Sequence, residues 1–297
     1  MNHTRGTRWV VVLGTALVFV VGLTTVAMAQ TPNHLPFLRT GVGARAAGMG
    51  NAYVAVAGDA TAGFFNPAGL THIQKWGFAS MLSADMGLDR QFNYLAVAGS
   101  FKWGSIGASW INAGIKNVDD LTDPNAPKSY MDNYFLLSYG NTAAKFRWGA
   151  SLVIANNKVA DKTGVGGDLG FQWCFMDEAT LGLAAQSLGL KVGENRTPYN
   201  IRLGLAVMPT ALEGFTFPVE IQKTQDVSGI KFRLGGEYKI KFDNSDIGAA
   251  IRAGVDDGAF TMGAGVSFKQ FMLDYAYVPE KVRFLGESHR FSLTGNF

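Results

Sequence analysis

The chain has 297 residues, 16% of them charged, and a formal net charge of +3. Soluble domains carry roughly 25% charged residues, so this composition is unusually poor in charge for a water-facing protein. Near-neutrality gives no electrostatic footprint for a nucleic-acid partner, and a single cysteine, Cys174, excludes an internal disulfide framework.

The N-terminus carries Arg5 and Arg8, then an apolar, uncharged stretch from Trp9 to Met28 that closes on Ala27-Met28-Ala29. A basic start, an apolar centre and a small-x-small end are the order of a secretory signal peptide, with cleavage expected after Ala29. The alternative is an uncleaved anchor, because the stretch is nearly long enough to span a bilayer. The polar residues Gln30-Thr31-Pro32-Asn33 favour cleavage, and without Arg5 and Arg8 the net charge falls to +1.

Residues 30–75 form a second region, rich in glycine and alanine, with poor alternation. Such density of small residues suits short helices and tight turns that approach other backbone closely.

From Trp76 to Phe297 the pattern becomes a period of two. Phe146, Trp148, Leu152 and Ile154 alternate with Arg147, Gly149 and Ser151; Leu169, Phe171 and Trp173 alternate with Asp168, Gly170 and Gln172. Fourteen such segments are expected: 76–86, 91–101, 104–114, 131–140, 145–156, 164–175, 179–187, 199–208, 214–222, 230–240, 246–254, 259–268, 271–278 and 288–297. No second apolar run reaches the length of a spanning helix. Strands of 9–11 residues with one wholly apolar face are instead long enough to cross a membrane obliquely. The fold expected is therefore all-β: a 14-stranded antiparallel transmembrane β-barrel (76–297) with a small N-terminal plug, or hatch (30–75), after the signal peptide (1–29). Short connections such as Lys102-Trp103 and Lys269-Gln270 alternate with longer ones, of which Ile115 to Tyr130 is the longest. The outer-membrane lipids are the expected surroundings. The final strand, HRFSLTGNF, puts Phe291, Leu293 and Phe297 on one face, and a terminal aromatic of this kind resembles the signal that the barrel-assembly machinery reads, the alternative being a buried edge strand of a soluble protein.

The block Gly43 to Gly50, followed by Ala52-Tyr53-Val54-Ala55, Asp59 and Asn66-Pro67-Ala68-Gly69-Leu70, resembles the N-terminal signature of FadL-like outer-membrane proteins, most closely the PorV/PorQ branch. That resemblance covers about 30 residues. It implies a 14-stranded barrel with the N-terminal segment folded into the lumen. FadL-like members move small hydrophobic molecules, whereas PorV-type members serve type IX protein secretion as carriers between secretion-system proteins. The short outer loops leave little material for a capture site above the barrel. That favours the secretion-linked carrier or scaffold, with the channel for hydrophobic compounds as the alternative.

Candidate residues fall into two sets. The plug set is Arg45 with Asn66, Pro67, Ala68 and Gly69: proline fixes one backbone angle and pushes Asn66 out of helical geometry, so Asn66 is free to bond nearby backbone. The lumen set is the charges on the inner faces: Arg147, Asp168, Arg202, Glu220 and Lys231, then Arg233, Glu237, Arg252, Asp274 and Arg290. Hairpin pairing sets Arg202 against Glu220, Glu220 against Lys231, and Asp274 against Arg290. These charges are expected to anchor the plug and hydrate the lumen rather than to line a substrate path. No catalytic or metal set is expected, since His34, His72 and His289 are scattered and Ser288-His289 lacks an acidic partner. No cofactor is expected either, because Gly41-x-Gly43 with Gly48 lacks dinucleotide spacing.

Overall fold

The computed structural model describes residue 38 and residues 40–85, 90–120, 123–158, 161–279 and 287–297. The expected signal peptide and cleavage site, and the connections 86–89 and 280–286, lie outside the described residues.

Fifteen strands form one antiparallel sheet. They are β1 (Trp76–Asp85), β2 (Arg90–Phe101), β3 (Gly104–Asp120), β4 (Asp123–Ala143), β5 (Phe146–Asn157), β6 (Lys162–Met176), β7 (Ala179–Val192), β8 (Asn195–Arg196), β9 (Asn200–Val207), β10 (Phe215–Thr224), β11 (Lys231–Lys241), β12 (Ile247–Asp256), β13 (Ala259–Phe268), β14 (Phe271–Pro279) and β15 (Glu287–Asn296). β8 is a two-residue addition to the end of β7. The other fourteen close a ring, because β1 pairs with β2 on one side and β15 on the other. The seam is sealed at the chain end, where the Phe297 amide donates to the Trp76 carbonyl at 2.8 Å. A closed ring leaves no unpaired sheet edge, the condition for a sheet to sit in lipid.

The period of two places large apolar side chains on the outer wall. Leu82, Leu137, Ile251 and Leu273 are 58–66% exposed. A continuous apolar wall of this size is unstable in water and stable against acyl chains. At the rim formed by the short turns, Trp76, Phe101, Trp103, Tyr139 and Trp148 follow one another with centroids 5.2–6.1 Å apart. Amphipathic rings at that level match a membrane interface.

Three features depart from the sequence reading. Ile115 to Tyr130 is not an open loop: β3 and β4 stay paired as far as Asp120 and Asp123, with two register shifts, and form a ribbon beyond the ring. Second, β7 continues past 187 to Val192. Extra residues near Ser187 (φ 60°) and Gly189 (φ 66°) bulge out of the β6–β7 ladder. The two extra residues cancel, so beyond the bulge the even-numbered Leu190 and Val192 are buried in the interior, as Ala184 is before it. Third, the inner face is not uniformly polar. On β1 to β5 it carries Met81, Phe92, Tyr94, Ile111, Tyr134, Leu136 and Val153, whereas the charged inner residues concentrate on β9 to β15.

Candidate functional site

The site is the interior of the ring, which residues 40–73 fill. Helix α1 (Ala44–Gly48), helix α2 (Ala62–Phe65) and a 3-10 turn (Pro67–His72) are each a turn or two long. Helices this short have little stability of their own, so the wall must hold them.

The wall makes room with glycine. Inward glycines on nine strands meet this segment: Gly107, Gly140, Gly149, Gly170, Gly182, Gly204, Gly235, Gly254 and Gly263. A β-carbon on Gly149 would lie 2.5 Å from the Pro67 carbonyl carbon and 2.6 Å from the Ala68 nitrogen. One on Gly182 would lie 2.6 Å from the Val54 carbonyl oxygen, and one on Gly235 2.5 Å from that of Met49. The belt thus lets two backbones touch, which any larger residue prevents. Sequence reasoning noted glycine on the inner faces but missed the belt, because its members align only once the register of every hairpin is known.

The charged half of the wall ties down residues 44–54. Glu237 takes a two-pronged contact from Arg45, at 2.8 and 2.9 Å, and accepts from Arg252 Nε at 2.7 Å. The Tyr53 hydroxyl accepts from Arg45 Nη1 at 2.9 Å and donates to Asp59 Oδ2 at 2.8 Å. Burial, and the nearby Asp59, push the Tyr53 phenol well above its ordinary range, so it keeps its proton and the donor role. Glu220 is the hub: one carboxylate oxygen accepts from the Tyr53 and Val54 amides at 3.0 Å each, the other from Arg202 Nε at 2.7 Å and Arg233 Nη1 at 3.0 Å. Thr261 accepts from the Gly50 amide at 3.0 Å and Ser292 from the Ala44 amide at 3.0 Å. Loss of the Tyr53 hydroxyl (Tyr53→Phe) removes the hydrogen-bonded link between Arg45 and Asp59 and leaves only their direct contact at 3.7 Å, without changing shape. We expect a destabilisation of about 1–3 kcal/mol by urea unfolding in detergent, as for other buried partners left unpaired.

The apolar half packs more than it bonds, although the Tyr94 hydroxyl donates to the Ala60 carbonyl at 3.4 Å and the Ser151 hydroxyl to that of Gly63 at 3.5 Å. Phe65 meets Tyr53 at 4.9 Å and Phe64 edge-on at 5.1 Å, beside Met81, Ile111, Tyr134 and Leu190. Asn66 joins the halves of the segment to the wall. It is fully buried, its amide donates to the Val54 and Phe171 carbonyls at 2.9 and 3.0 Å, and its oxygen accepts from the Ala68 amide at 3.2 Å. Its extended backbone (φ −161°, ψ 102°) starts the turn in which Pro67 is the first residue, and Gly69 lies against the Ala57 carbonyl. Asn66→Ala leaves two buried carbonyls and an amide without these partners; we expect about 1–3 kcal/mol per orphaned group, read in the same unfolding titration.

The remaining charges distribute as follows. Arg147 donates to Cys174 Sγ at 2.7 Å, near the short-turn end. Asp168 is buried and accepts from the Ser187 amide at 2.7 Å, inside the β7 bulge. Arg290 donates to the Thr40 carbonyl at 2.8 Å. All three expected cross-strand registers are corrected. Register sets Glu220 opposite Arg233 and moves Lys231 opposite Gln222. Arg202 lies opposite Gln222 but reaches Glu220 diagonally, at 2.6 Å. Asp274 lies opposite Ser292, not Arg290, and binds Arg252 Nη1 at 2.8 Å. His72, whose pKa is lowered by burial and by Arg147, meets Gln172 at 3.2 Å. Among the described residues no group of His, Cys, Asp and Glu is arranged to hold a metal.

A cavity lined by Asn200, Arg202, Gln222, Arg233 and Phe65 at the long-loop end has a volume of about 10 Å³. That is room for about one water.

No protein-family model and no curated protein sequence matches the chain. Solved structures do match the fold. The crystal structure of the Ralstonia pickettii toluene transporter TbuX aligns with a TM-score of 0.60 at 12% identity, covering 88% of this chain and 100% of that one. The P. putida toluene transporter TodX aligns with a TM-score of 0.55 at 13% identity, over 86% and 99% of the two chains. A Pseudomonas aeruginosa FadL homologue gives 0.51 and 12%, over 92% and 99%. At such identities the likeness is one of fold: this chain shares the barrel architecture of these proteins.

Proposed function

We propose that this protein is a non-enzymatic outer-membrane channel for small hydrophobic compounds, closed by residues 40–73 acting as a plug. The observation that carries this reading is the division of the lumen. One half of the inner wall is apolar and aromatic and contacts the plug without ion pairs, so displacing the plug there opens an apolar path at low electrostatic cost. The other half anchors the plug through buried charges. The barrel shared with the toluene transporters supports the same reading. The secretion-linked PorV/PorQ reading rests on the N-terminal block and the short outer loops and is the weaker one; it predicts copurification with secretion-system proteins. In the proposed placement the outer wall meets lipid, the long-loop end faces outward, and the Phe297 strand engages the barrel-assembly machinery.

The test is uptake into proteoliposomes. Toluene or an apolar dye should enter faster than into protein-free vesicles, while a sugar of similar size should not. Equal rates for the apolar compound with and without protein would remove the channel reading.

A further inference from the structure

Beyond the channel, the outer wall carries a cationic feature that the plug and lumen do not use. At the long-loop end, β7 turns into β8 through Gly193 and Glu194. Lys191 and Arg196 stand directly opposite each other across this turn, and both are exposed. Directly opposed residues of an antiparallel pair share a face. Lys191 is flanked by the buried Leu190 and Val192, so that face is the outer one. On its other side Lys191 is paired with Val165, which is 56% exposed on the outer wall. The stem of Lys162 lies against Gly193, within 3.1 Å of where a β-carbon would stand, and brings a third cation to the same turn. Two like charges directly opposed on a sheet repel each other. Among the described residues neither Lys191 nor Arg196 forms a salt bridge, and the acids nearby in sequence, Asp161 and Glu194, are exposed.

The height of the cluster identifies its partner. Below it the wall is apolar: Leu169, Ile201 and Leu203 are exposed, and the ring of Tyr199 sits at the boundary. A cation pair one step above an acyl-facing belt lies at the level of lipid headgroups. Guanidinium and ammonium groups in that position match phosphate oxygens.

We propose that Lys191 and Arg196, with Lys162, bind the headgroup phosphates of lipopolysaccharide in the outer leaflet. The proposal rests on the outer-membrane placement and outward long-loop end given above, not on transport. A bound phosphate also relieves the Lys191–Arg196 repulsion, which gives the pair a reason to exist.

The test uses the purified full-length protein in detergent, titrated with diphosphorylated lipid A and, separately, with phosphatidylglycerol, and read by native mass spectrometry and thermal unfolding. Wild type should bind lipid A tightly and gain thermal stability from it. Lys191→Glu turns the repulsive pair into an attractive one. Without lipid it should melt at or above the wild-type temperature, yet lipid A binding should weaken several-fold. Arg196→Gln should weaken binding in the same direction. Unchanged lipid A binding in both variants overturns the proposal, as does phosphatidylglycerol binding as well as lipid A. None of these readouts depends on uptake, so a failed channel and a failed lipid site are told apart.

Discussion

Glu220→Ala should cause the largest loss of stability of any single substitution in the lumen, about 3–5 kcal/mol by the measure of buried charge networks that lose one member. The carboxylate is 1% exposed and serves four donors at once: two successive plug amides and two arginines. Arg202 and Arg233 are themselves buried, so its removal leaves two guanidinium groups short of their counter-charge. Arg233 retains Asp256 at 2.8 Å, but Arg202 has no second acid within 4.0 Å among the described salt bridges. Glu220→Gln keeps the shape but offers one acceptor oxygen and a donor amide to a cluster that presents only donors; it should fall between wild type and Glu220→Ala. Urea unfolding in detergent measures both. A loss below about 1 kcal/mol for Glu220→Ala, the scale of one ordinary hydrogen bond, would mean that Glu220 is not the anchor of the plug.

Gly149→Val should displace the plug while the barrel still forms. Even the first added carbon meets Pro67 and Ala68 backbone at 2.5–2.6 Å, inside any permitted contact. Something must yield. The wall is hydrogen-bonded on both sides here, with Gly149 paired to Gly140 on β4 and to Gly170 on β6. The plug on this side has apolar packing, the Asn66 bonds and the Gln172 amide, which donates to the Val54 and Ala57 carbonyls at 3.2 and 3.0 Å. It should therefore move, and proteoliposomes should become several-fold more permeable to a small polar solute that wild type excludes. Gly182→Val should do the same through Val54 and Ala55. Gly236→Val is the control: it faces outward on β11, nothing lies closer than 4.0 Å to its added carbon, and permeability should stay at the wild-type level. A barrel band on cold gels with unchanged permeability for both inward variants would show that the segment is part of the wall rather than a plug.

These two expectations show how much the sequence carries. Alternation from Trp76 onward suffices for fourteen strands and for which face is apolar, because a pleat admits only two faces and the outer one is apolar throughout. Register is another matter. A slip by two residues keeps every side chain on its own face, so alternation cannot distinguish Glu220–Lys231 from the observed Glu220–Arg233. Asp274 finds Arg252, two strands away, because Gly265 on the intervening β13 has no side chain in the path. No pairing rule between neighbours contains that contact. The β7 bulge is equally hidden: its two extra residues cancel in the alternation, so the pattern of faces carries no trace of them, while Leu190 and Val192 beyond it supply part of the apolar half on which the channel reading stands. Asn66-Pro67 was legible as a backbone device, since proline restricts the residue before it. Its partners, the Val54 and Phe171 carbonyls, belong to distant parts of the chain.

The claim that the plug must move for hydrophobic compounds to pass is tested most directly by a reversible lock. Gly63 of the plug faces Ser138 on β4 in the apolar half, where a β-carbon on Gly63 would lie 3.7 Å from that of Ser138, a separation that suits a disulfide. Cysteines at both positions, with Cys174→Ser to remove the native thiol, allow one protein to be measured oxidised and reduced. Toluene uptake should fall to the rate of protein-free vesicles on oxidation and return on reduction. Uptake that continues unchanged with the disulfide fully formed would contradict the account.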